Sequence, residues 1–121
     1  MGKLNEGTIV VTGGAGLIGS AIIWGLNNRG HENIWLVDWA EKESLKARNL
    51  SGLSYAHHLS PEQFRKLVGE KSSELSDIST ILHLGACSST TETNEEYLND
   101  NNLGYTRELC EWSLESDVRF V

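Results

Sequence analysis

Apolar residues are grouped along the chain in short, nearly continuous runs instead of alternating with polar residues. Thr8–Thr12, Asn33–Val37 and Thr80–Leu84 are the clearest runs. Strands of a parallel sheet that is covered on both faces have this pattern. A weaker run predicts a strand at Leu53–Ala56, and Val118–Val121 begins another. The apolar pattern therefore predicts about five strands.

Segments between these runs have the apolar spacing and the end signals of helices. The first helix is predicted to end at Gly30, since glycine readily takes the left-handed conformation that stops a helix. Its apolar positions at helical spacing are Leu17, Ile18, Ala21, Ile22 and Leu26. Ser60 and Gln63 form a capping box around Pro61, so a second helix is predicted to begin there and to end at Gly69. Its predicted buried positions are Phe64, Leu67 and Val68.

A further capping box, Thr93–Glu96, predicts a long helix towards the end of the chain. Its predicted inner face consists of Leu98, Tyr105, Leu109 and Trp112. Glu41–Asn49 is interpreted as a short helix. Strands and helices therefore alternate and the chain ends on a strand, which predicts a parallel sheet with right-handed crossover connections.

A glycine-rich turn, GGAGLIG at residues 13–19, joins the first strand to the first helix. A dinucleotide site needs one glycine for a tight bend, one for close approach of the pyrophosphate and one for packing of helix on strand. Gly13, Gly16 and Gly19 have these places, in the spacing GxxGxxG. The context favours a dinucleotide site over a glycine-rich turn without a ligand, and it predicts an α/β, Rossmann-type doubly wound sheet. A P-loop is disfavoured because the Lys-Ser/Thr ending is missing.

Asp38 follows the second strand, nineteen residues after Gly19. A carboxylate at this place can accept both hydroxyls of the adenosine ribose, which favours NAD. The alternative is a solvated carboxylate at a strand end. Lys42, Lys46 and Arg48 follow closely and can pair with the 2′-phosphate of NADP. The residues alone therefore leave NAD and NADP open.

The segment after the fourth strand, His83–Thr91, combines small and hydroxyl residues. Gly85 and Ala86 are small, so a ligand can lie against the backbone at this carboxyl edge of the sheet. The hydroxyl run that begins at Ser88 can hydrogen-bond a phosphate or a sugar, or serve only as a loop and helix cap. Cys87 is interpreted as a small packing residue because no activating base is evident.

Several polar and aromatic residues have a structural interpretation beside a functional one. His83 lies within an apolar strand and is interpreted as a hydrogen-bonded core residue. His57 and His58 are adjacent, which is poor spacing for joint metal ligation, so no metal site is predicted. Asn101 is either part of an exposed polar helix face or a binding residue. The tryptophans are interpreted first as packing residues, with Trp39 also a candidate to flank an adenine. They are Trp24, Trp35, Trp39 and Trp112.

The composition narrows the class of protein. The 121 residues fit one domain, and ten Lys+Arg against seventeen Asp+Glu give a net charge of −7. This balance argues against non-specific nucleic-acid binding. No apolar run approaches the ~20 residues that span a membrane, and the N-terminus lacks the regions of a signal peptide. Cys87 and Cys110 form neither a zinc pattern nor a disulfide framework. We expect a soluble protein of a reducing compartment, with no nucleic-acid or membrane partner.

The glycine turn, Asp38 and the strand end His83–Ala86 together resemble the extended short-chain dehydrogenase/reductase superfamily. The string GACSSTTE at 85–92, followed by Asp100–Asn102, is similar to that of the ADP-L-glycero-D-manno-heptose 6-epimerases. The resemblance covers essentially the whole chain. It implies a cytoplasmic, homo-oligomeric, NADP-dependent isomerase that acts on an ADP-heptose and supplies lipopolysaccharide core synthesis. In that family hydride passes from the sugar to the cofactor and returns to the other face, which inverts C6 through a transient ketone.

The glycine pattern and the resemblance together predict the residues that contact the cofactor. They are Gly13, Gly16, Leu17, Ile18, Gly19, Asp38, Trp39, Lys46, Leu84, Gly85, Ala86, Cys87, Ser88 and Asn101. Lys46 matches a family lysine that favours NADP if one residue is inserted after Asp38. Three departures fall on the adenosine side: Trp39 stands where Asn is usual, His57–His58 replaces Asp-Tyr, and Pro61 replaces a Lys.

The superfamily's catalytic Tyr-x-x-x-Lys pair does not occur in these 121 residues. In the family that pair and the substrate domain come after the fifth strand. We therefore interpret residues 1–121 as the N-terminal part of an NAD(P)-binding domain, without catalytic residues, and predict no epimerase activity for this chain by itself. The alternatives are part of another sugar-nucleotide epimerase, reductase or dehydratase, and a short non-catalytic nucleotide-binding module.

Overall fold

A computed structural model describes residues 7–39, 48–84 and 103–121. Its strands are β1 (Thr8–Thr12), β2 (Ile34–Val37), β3 (His57–Leu59), β4 (Ile78–His83) and β5 (Arg119–Phe120). Its helices are α1 (Leu17–Asn28), α2 (Pro61–Gly69) and α3 (Tyr105–Ser116), with a 3-10 turn at Ser73–Leu75. Within these ranges the strands form one parallel sheet in the order β3-β2-β1-β4-β5.

Helices lie on both faces of this sheet. α1 packs on one face through Ile23, in a cluster with Val11 of β1. α2 and α3 pack on the other face through Phe64 and Leu109, in a cluster with Val10. Because successive strand residues point to opposite faces, β1 contributes to both cores and is apolar throughout. The predicted α/β, Rossmann-type doubly wound fold is confirmed.

The helix ends follow the sequence signals closely. Ser60 Oγ accepts from Gln63 N (3.1 Å) and Gln63 Oε1 accepts from Ser60 N (2.8 Å), so the capping box that starts α2 is confirmed. Gly30 has a φ of +87° just after α1. The predicted inner face of α3 is buried at Tyr105, Leu109 and Trp112. Leu98 and the capping box at Thr93–Glu96 lie outside the described residues.

The apolar residues at the start of α1 do not mark its buried side. Leu17 and Ile18 are 79% and 67% exposed, whereas Gly19, Ser20 and Ile23 are buried. The first turn of the helix lies close against the glycine turn, so only small residues fit on its inner side. Apolar spacing therefore identifies the helix but not its buried side at this end.

The four tryptophans differ in burial. Trp112 is buried and Trp35 is partly buried, as expected of packing residues. Trp24 is 62% exposed and Trp39 is 43% exposed, so packing as their main role is wrong. Trp24 lies seven residues after Leu17, two helical turns along the same exposed side of α1.

The third strand lies later in the chain than predicted, at His57–Leu59 instead of Leu53–Ala56. Asn27, near the end of α1, holds the backbone of Ser54 through two bonds: Nδ2 donates to Ser54 O (3.0 Å) and Oδ1 accepts from Ser54 N (2.8 Å). These bonds occupy polar groups of the predicted strand. β3 pairs instead with Trp35–Val37 as an edge strand, and its exposed histidines leave it without an apolar pattern.

The remaining differences are small. β2, β4 and β5 begin or end one or two residues from their predicted bounds, and the 3-10 turn was not predicted. Of the predicted helix Glu41–Asn49, residues 48 and 49 are described and are helical; the rest lies outside the described residues. In the ranges that the structure describes, no helix is both long and apolar enough to cross a bilayer.

Candidate functional site

The candidate site lies at the carboxyl ends of β1, β2 and β4, which are neighbours in the sheet. After Thr12 the chain bends sharply at Gly13, whose φ is +69°. Gly13 N donates to Val37 O (2.8 Å), and Gly16 N donates back to Gly13 O (3.1 Å). The tight bend predicted for the first glycine is therefore present, and it is tied to the end of β2.

Gly19 lies where α1 passes closest to this turn. A Cβ atom at Gly19 would be 2.2 Å from Gly13 O and 2.7 Å from Gly14 Cα, well inside van der Waals contact. The third glycine, predicted to let the helix pack on the strand, therefore permits close packing of α1 on the turn that directly follows β1. At Gly16 a Cβ atom would be 3.3 Å from the same oxygen, so the second glycine also lies in a crowded part of the turn.

The N-terminus of α1 is suited to an anion. Gly16 is the N-cap and makes no side-chain capping bond, and the first turn of the helix contains no acidic residue. The amides of Leu17 and Ile18, the first two helical residues, thus have no side-chain cap, and the helix dipole favours negative charge beside them. This arrangement fits the pyrophosphate of a dinucleotide.

Asp38 is tied directly to the glycine turn. Its side chain is buried at the end of β2, where Oδ2 accepts from Ala15 N (3.1 Å) and Oδ1 accepts from Trp39 N (2.8 Å). These bonds argue against a solvated carboxylate at a strand end. They bring the residue predicted to receive the ribose to the same turn as the residues predicted to receive the pyrophosphate.

Two side chains that were not predicted as site residues support this arrangement. Asn49 Nδ2 donates to Ala15 O (3.0 Å), so the segment that carries Arg48 lies beside the glycine turn. His58 Nε2 donates to the backbone carbonyl of Asp38 (2.9 Å). Each contact joins residues of distant elements, and spacing along the chain carries no signal for such contacts.

The end of β4 is connected to both β1 and α3 through His83. Nδ1 of His83 is 2.7 Å from Thr12 Oγ1, and Nε2 is 2.8 Å from Thr106 Oγ1. Leu84 N donates to Thr12 O (3.1 Å) and to Thr12 Oγ1 (2.9 Å). The interpretation of His83 as a core residue with hydrogen-bond partners is therefore confirmed for the hydrogen bonds, while the residue itself is only partly buried. Burial lowers its pKa below the ordinary value for histidine.

The structure brings the predicted site residues together in two neighbouring places. Around the glycine turn lie Gly13, Gly16, Leu17, Ile18, Gly19, Asp38 and Trp39. Leu84 lies at the end of the adjacent strand β4. The other predicted site residues lie outside the described residues: Lys46, Gly85, Ala86, Cys87, Ser88 and Asn101.

Comparison with known sequences assigns the chain to a family. A sequence profile of the NAD dependent epimerase/dehydratase family matches residues 9–121. A protein of Fusobacterium nucleatum named ADP-L-glycero-D-manno-heptose-6-epimerase is 39% identical over 114 residues, which cover 93% of this chain and 33% of that protein. A protein of the same name from Nitratidesulfovibrio vulgaris is 41% identical over 112 residues, covering 93% and 34%. The chain spans about a third of the length of these curated relatives.

Solved structures share the fold. The UDP-Glc/GlcNAc 4-epimerase from Campylobacter jejuni superposes with a TM-score of 0.71 at 24% identity, covering 94% of this chain and 36% of that one. A short-chain dehydrogenase/reductase superfamily protein from Agrobacterium tumefaciens with bound NAD gives a TM-score of 0.65 at 25% identity, covering 93% and 31%. The present chain thus shares its fold with a protein whose structure contains bound NAD.

Proposed function

The chain belongs to the NAD-dependent epimerase/dehydratase family, and from this premise we propose that residues 1–121 are the N-terminal part of the dinucleotide-binding domain of an ADP-L-glycero-D-manno-heptose 6-epimerase. Relatives of that name at 39% and 41% identity support the substrate class, as does the string GACSSTTE at 85–92. The whole protein is proposed to be a cytoplasmic, homo-oligomeric isomerase. It inverts C6 of an ADP-heptose for lipopolysaccharide core synthesis and has no nucleic-acid or membrane partner.

The observation that carries the cofactor-binding part of this proposal is the bond from Ala15 N to Asp38 Oδ2. It holds a carboxylate beside an uncapped helix N-terminus, so that the ribose and the pyrophosphate of one dinucleotide reach both groups together. The geometry therefore favours a dinucleotide over an isolated phosphate.

A nicotinamide dinucleotide, when bound, supplies the acceptance and return of hydride. The residues of this chain bind and orient it. The amides of Leu17 and Ile18 would hold the pyrophosphate, Asp38 would accept from the ribose, and the backbone of Leu84 at the end of β4 would be a further part of the binding site. Proton transfer to and from the sugar oxygen is assigned to none of these residues, since the sequence contains no Tyr-x-x-x-Lys pair.

NADP is the proposed cofactor, with NAD as the alternative. Arg48 is exposed and precedes Asn49, whose side chain is bonded to the glycine turn. Lys46, two residues before Arg48, lies outside the described residues. Cations in this segment can pair with a 2′-phosphate and offset its repulsion from Asp38. Titrating the chain with NADP and with NAD at matched ionic strength tests this. Tighter binding of NADP that weakens with salt supports it, and tighter binding of NAD contradicts it.

The catalytic part of the proposal is tested by incubating the 121-residue chain with NADP and an ADP-glycero-manno-heptose. Carbon NMR of the product pool then follows inversion at C6. We expect dinucleotide binding without inversion, because the groups that would move the proton are not in this sequence. Robust turnover would contradict that assignment. Failure to bind either dinucleotide would contradict the cofactor-binding role itself.

A further inference from the structure

Hydrogen bonds link the end of β4 to β1 and α3. The proposed binding of the cofactor gives these bonds no role. His83 lies at the last position of β4 and contacts hydroxyls on both sides: Thr12 Oγ1 on β1 at 2.7 Å and Thr106 Oγ1 on α3 at 2.8 Å. The imidazole also meets Tyr105 edge-on, with ring centroids 4.9 Å apart, and stacks on Phe120 at 5.8 Å. Two hydrogen bonds and two ring contacts therefore hold the imidazole in place.

The hydrogen-bond donors and acceptors around His83 are compatible with the following arrangement of protons. Leu84 N is a donor and uses Thr12 Oγ1 as an acceptor. The hydroxyl of Thr12 can at the same time donate its proton to Nδ1 of His83, and with that choice the imidazole proton is on Nε2, where it is donated to Thr106 Oγ1. In this arrangement every member of the chain from Thr106 to Leu84 has a partner of the right kind. A neutral imidazole satisfies it, and burial of the ring favours that neutral form.

From this geometry we infer that Thr106, His83 and Thr12 form a relay of hydrogen bonds that fixes the backbone of Leu84 at the cofactor edge of the sheet. His83 is a positioning residue in its Nε2-protonated form. The inference rests on the proposed function in one respect, namely that Leu84 lies along a dinucleotide. Thr106 is the remote member of the relay, since it is on α3 and, within the described residues, no hydrogen bond joins it to Leu84 or to the glycine turn.

Thr106→Val and Thr106→Ser form a matched pair of variants. Valine has the shape of threonine without the hydroxyl, so Nε2–H of His83 loses its acceptor, and a half-buried N–H without a partner drives the ring to another tautomer or orientation. Serine keeps the hydroxyl. Both substitutions lie outside the residues assigned to the dinucleotide. Circular dichroism at the working temperature establishes that each variant is folded.

The first measurement needs no dinucleotide. Long-range proton–nitrogen NMR correlations give the tautomer of His83, and amide exchange gives the protection of Leu84. We expect the Nε2–H tautomer in the wild type and in Thr106→Ser, and about fivefold faster exchange of the Leu84 amide in Thr106→Val. An Nδ1–H tautomer in the wild type, or unchanged exchange at Leu84 in Thr106→Val, overturns the relay.

The second measurement is the dissociation constant for NADP. We expect it to rise about fivefold in Thr106→Val and to stay within about twofold of the wild type in Thr106→Ser, since loss of one hydrogen bond in the positioning chain corresponds to roughly this factor. A purely structural role predicts lower stability of Thr106→Val with unchanged NADP affinity, and that result overturns the inference. If neither the wild type nor either variant binds a dinucleotide, the proposed function is wrong. In that case the tautomer and exchange data still decide whether the relay exists.

Discussion

Replacing Gly19 by alanine tests the close packing of α1 on the glycine turn. The new Cβ atom would lie 2.2 Å from Gly13 O and 2.7 Å from Gly14 Cα, both of them backbone atoms that no side-chain rotation can move. Carbonyl and helix must separate by about 0.8 Å before the first contact reaches the 3.0 Å minimum of real Cβ contacts. The substitution therefore moves the bend away from the N-terminus of α1.

Two opposing effects set the size of the change in stability. Alanine is a better helix former than glycine by about 1 kcal/mol. Overpacking costs about 1–3 kcal/mol, and a rigid backbone obstacle places Gly19→Ala at the upper end of that range. We expect the free energy of unfolding to fall by about 2 kcal/mol, and NADP binding to weaken about tenfold or more because the pyrophosphate site is distorted.

Gly25→Ala is the matched control, since Gly25 lies on the same helix and a Cβ atom there has no neighbour within 4 Å. The same gain in helix propensity applies without the steric cost, so this variant is expected to be more stable than the wild type by about 0.5–1 kcal/mol. Urea unfolding followed by circular dichroism compares the two. Equal stability of Gly19→Ala and Gly25→Ala would refute the packing argument.

Three further predictions concern polar groups of the described residues. Tyr105→Phe is expected to raise the free energy of unfolding by about 1 kcal/mol in thermal melts, because the buried phenol oxygen has no hydrogen-bond partner among the described residues; a loss of stability would contradict this. Asp38→Asn is expected to lower the free energy of unfolding by about 1–2 kcal/mol in urea unfolding. The two carboxylate oxygens accept from Ala15 N and Trp39 N, whereas an amide has one uncharged oxygen and can serve only one of these donors in the same way. An unchanged midpoint would show that these bonds contribute little. His83 has a folded-state pKa below its unfolded value, so its neutral form contributes stability that is complete above the unfolded pKa of about 6.5 and is lost as pH falls through the folded pKa. Tyr105 is the titratable group against the ring. Unfolding measured from pH 5 to 8 should show the wild type losing stability relative to His83→Gln on the acid side, and parallel pH profiles would contradict this.

Local signals allowed the sheet class and most helix ends to be predicted. The cap at Ser60 and the stop at Gly30 are decided by a few neighbouring residues, and the runs on β1 and β2 reflect burial on both faces. The inner face of α1 was not predictable from apolar spacing, because close packing there selects Gly19 and Ser20 and leaves Leu17 exposed.

The candidate site was predictable only in part, for a similar physical reason. The glycine turn and Asp38 were expected to lie close together, because each directly follows one of two strands that pair side by side. The bonds from Asn49 to Ala15 and from His83 to Thr106 join elements that the fold brings together, and no spacing rule contains them. The third strand was predicted at the wrong position because β3 is an exposed edge strand of three residues and has no apolar pattern.

Chemical-shift mapping of the amide groups during a titration with NADP tests the central claim most directly. Saturable shifts are predicted at Gly13, Gly16, Leu17 and Ile18, where the turn meets the N-terminus of α1, and Gly19→Ala should weaken the titration. Saturable shifts confined to residues away from this turn, or no saturable shift at all, would contradict the assignment of this turn as a dinucleotide site.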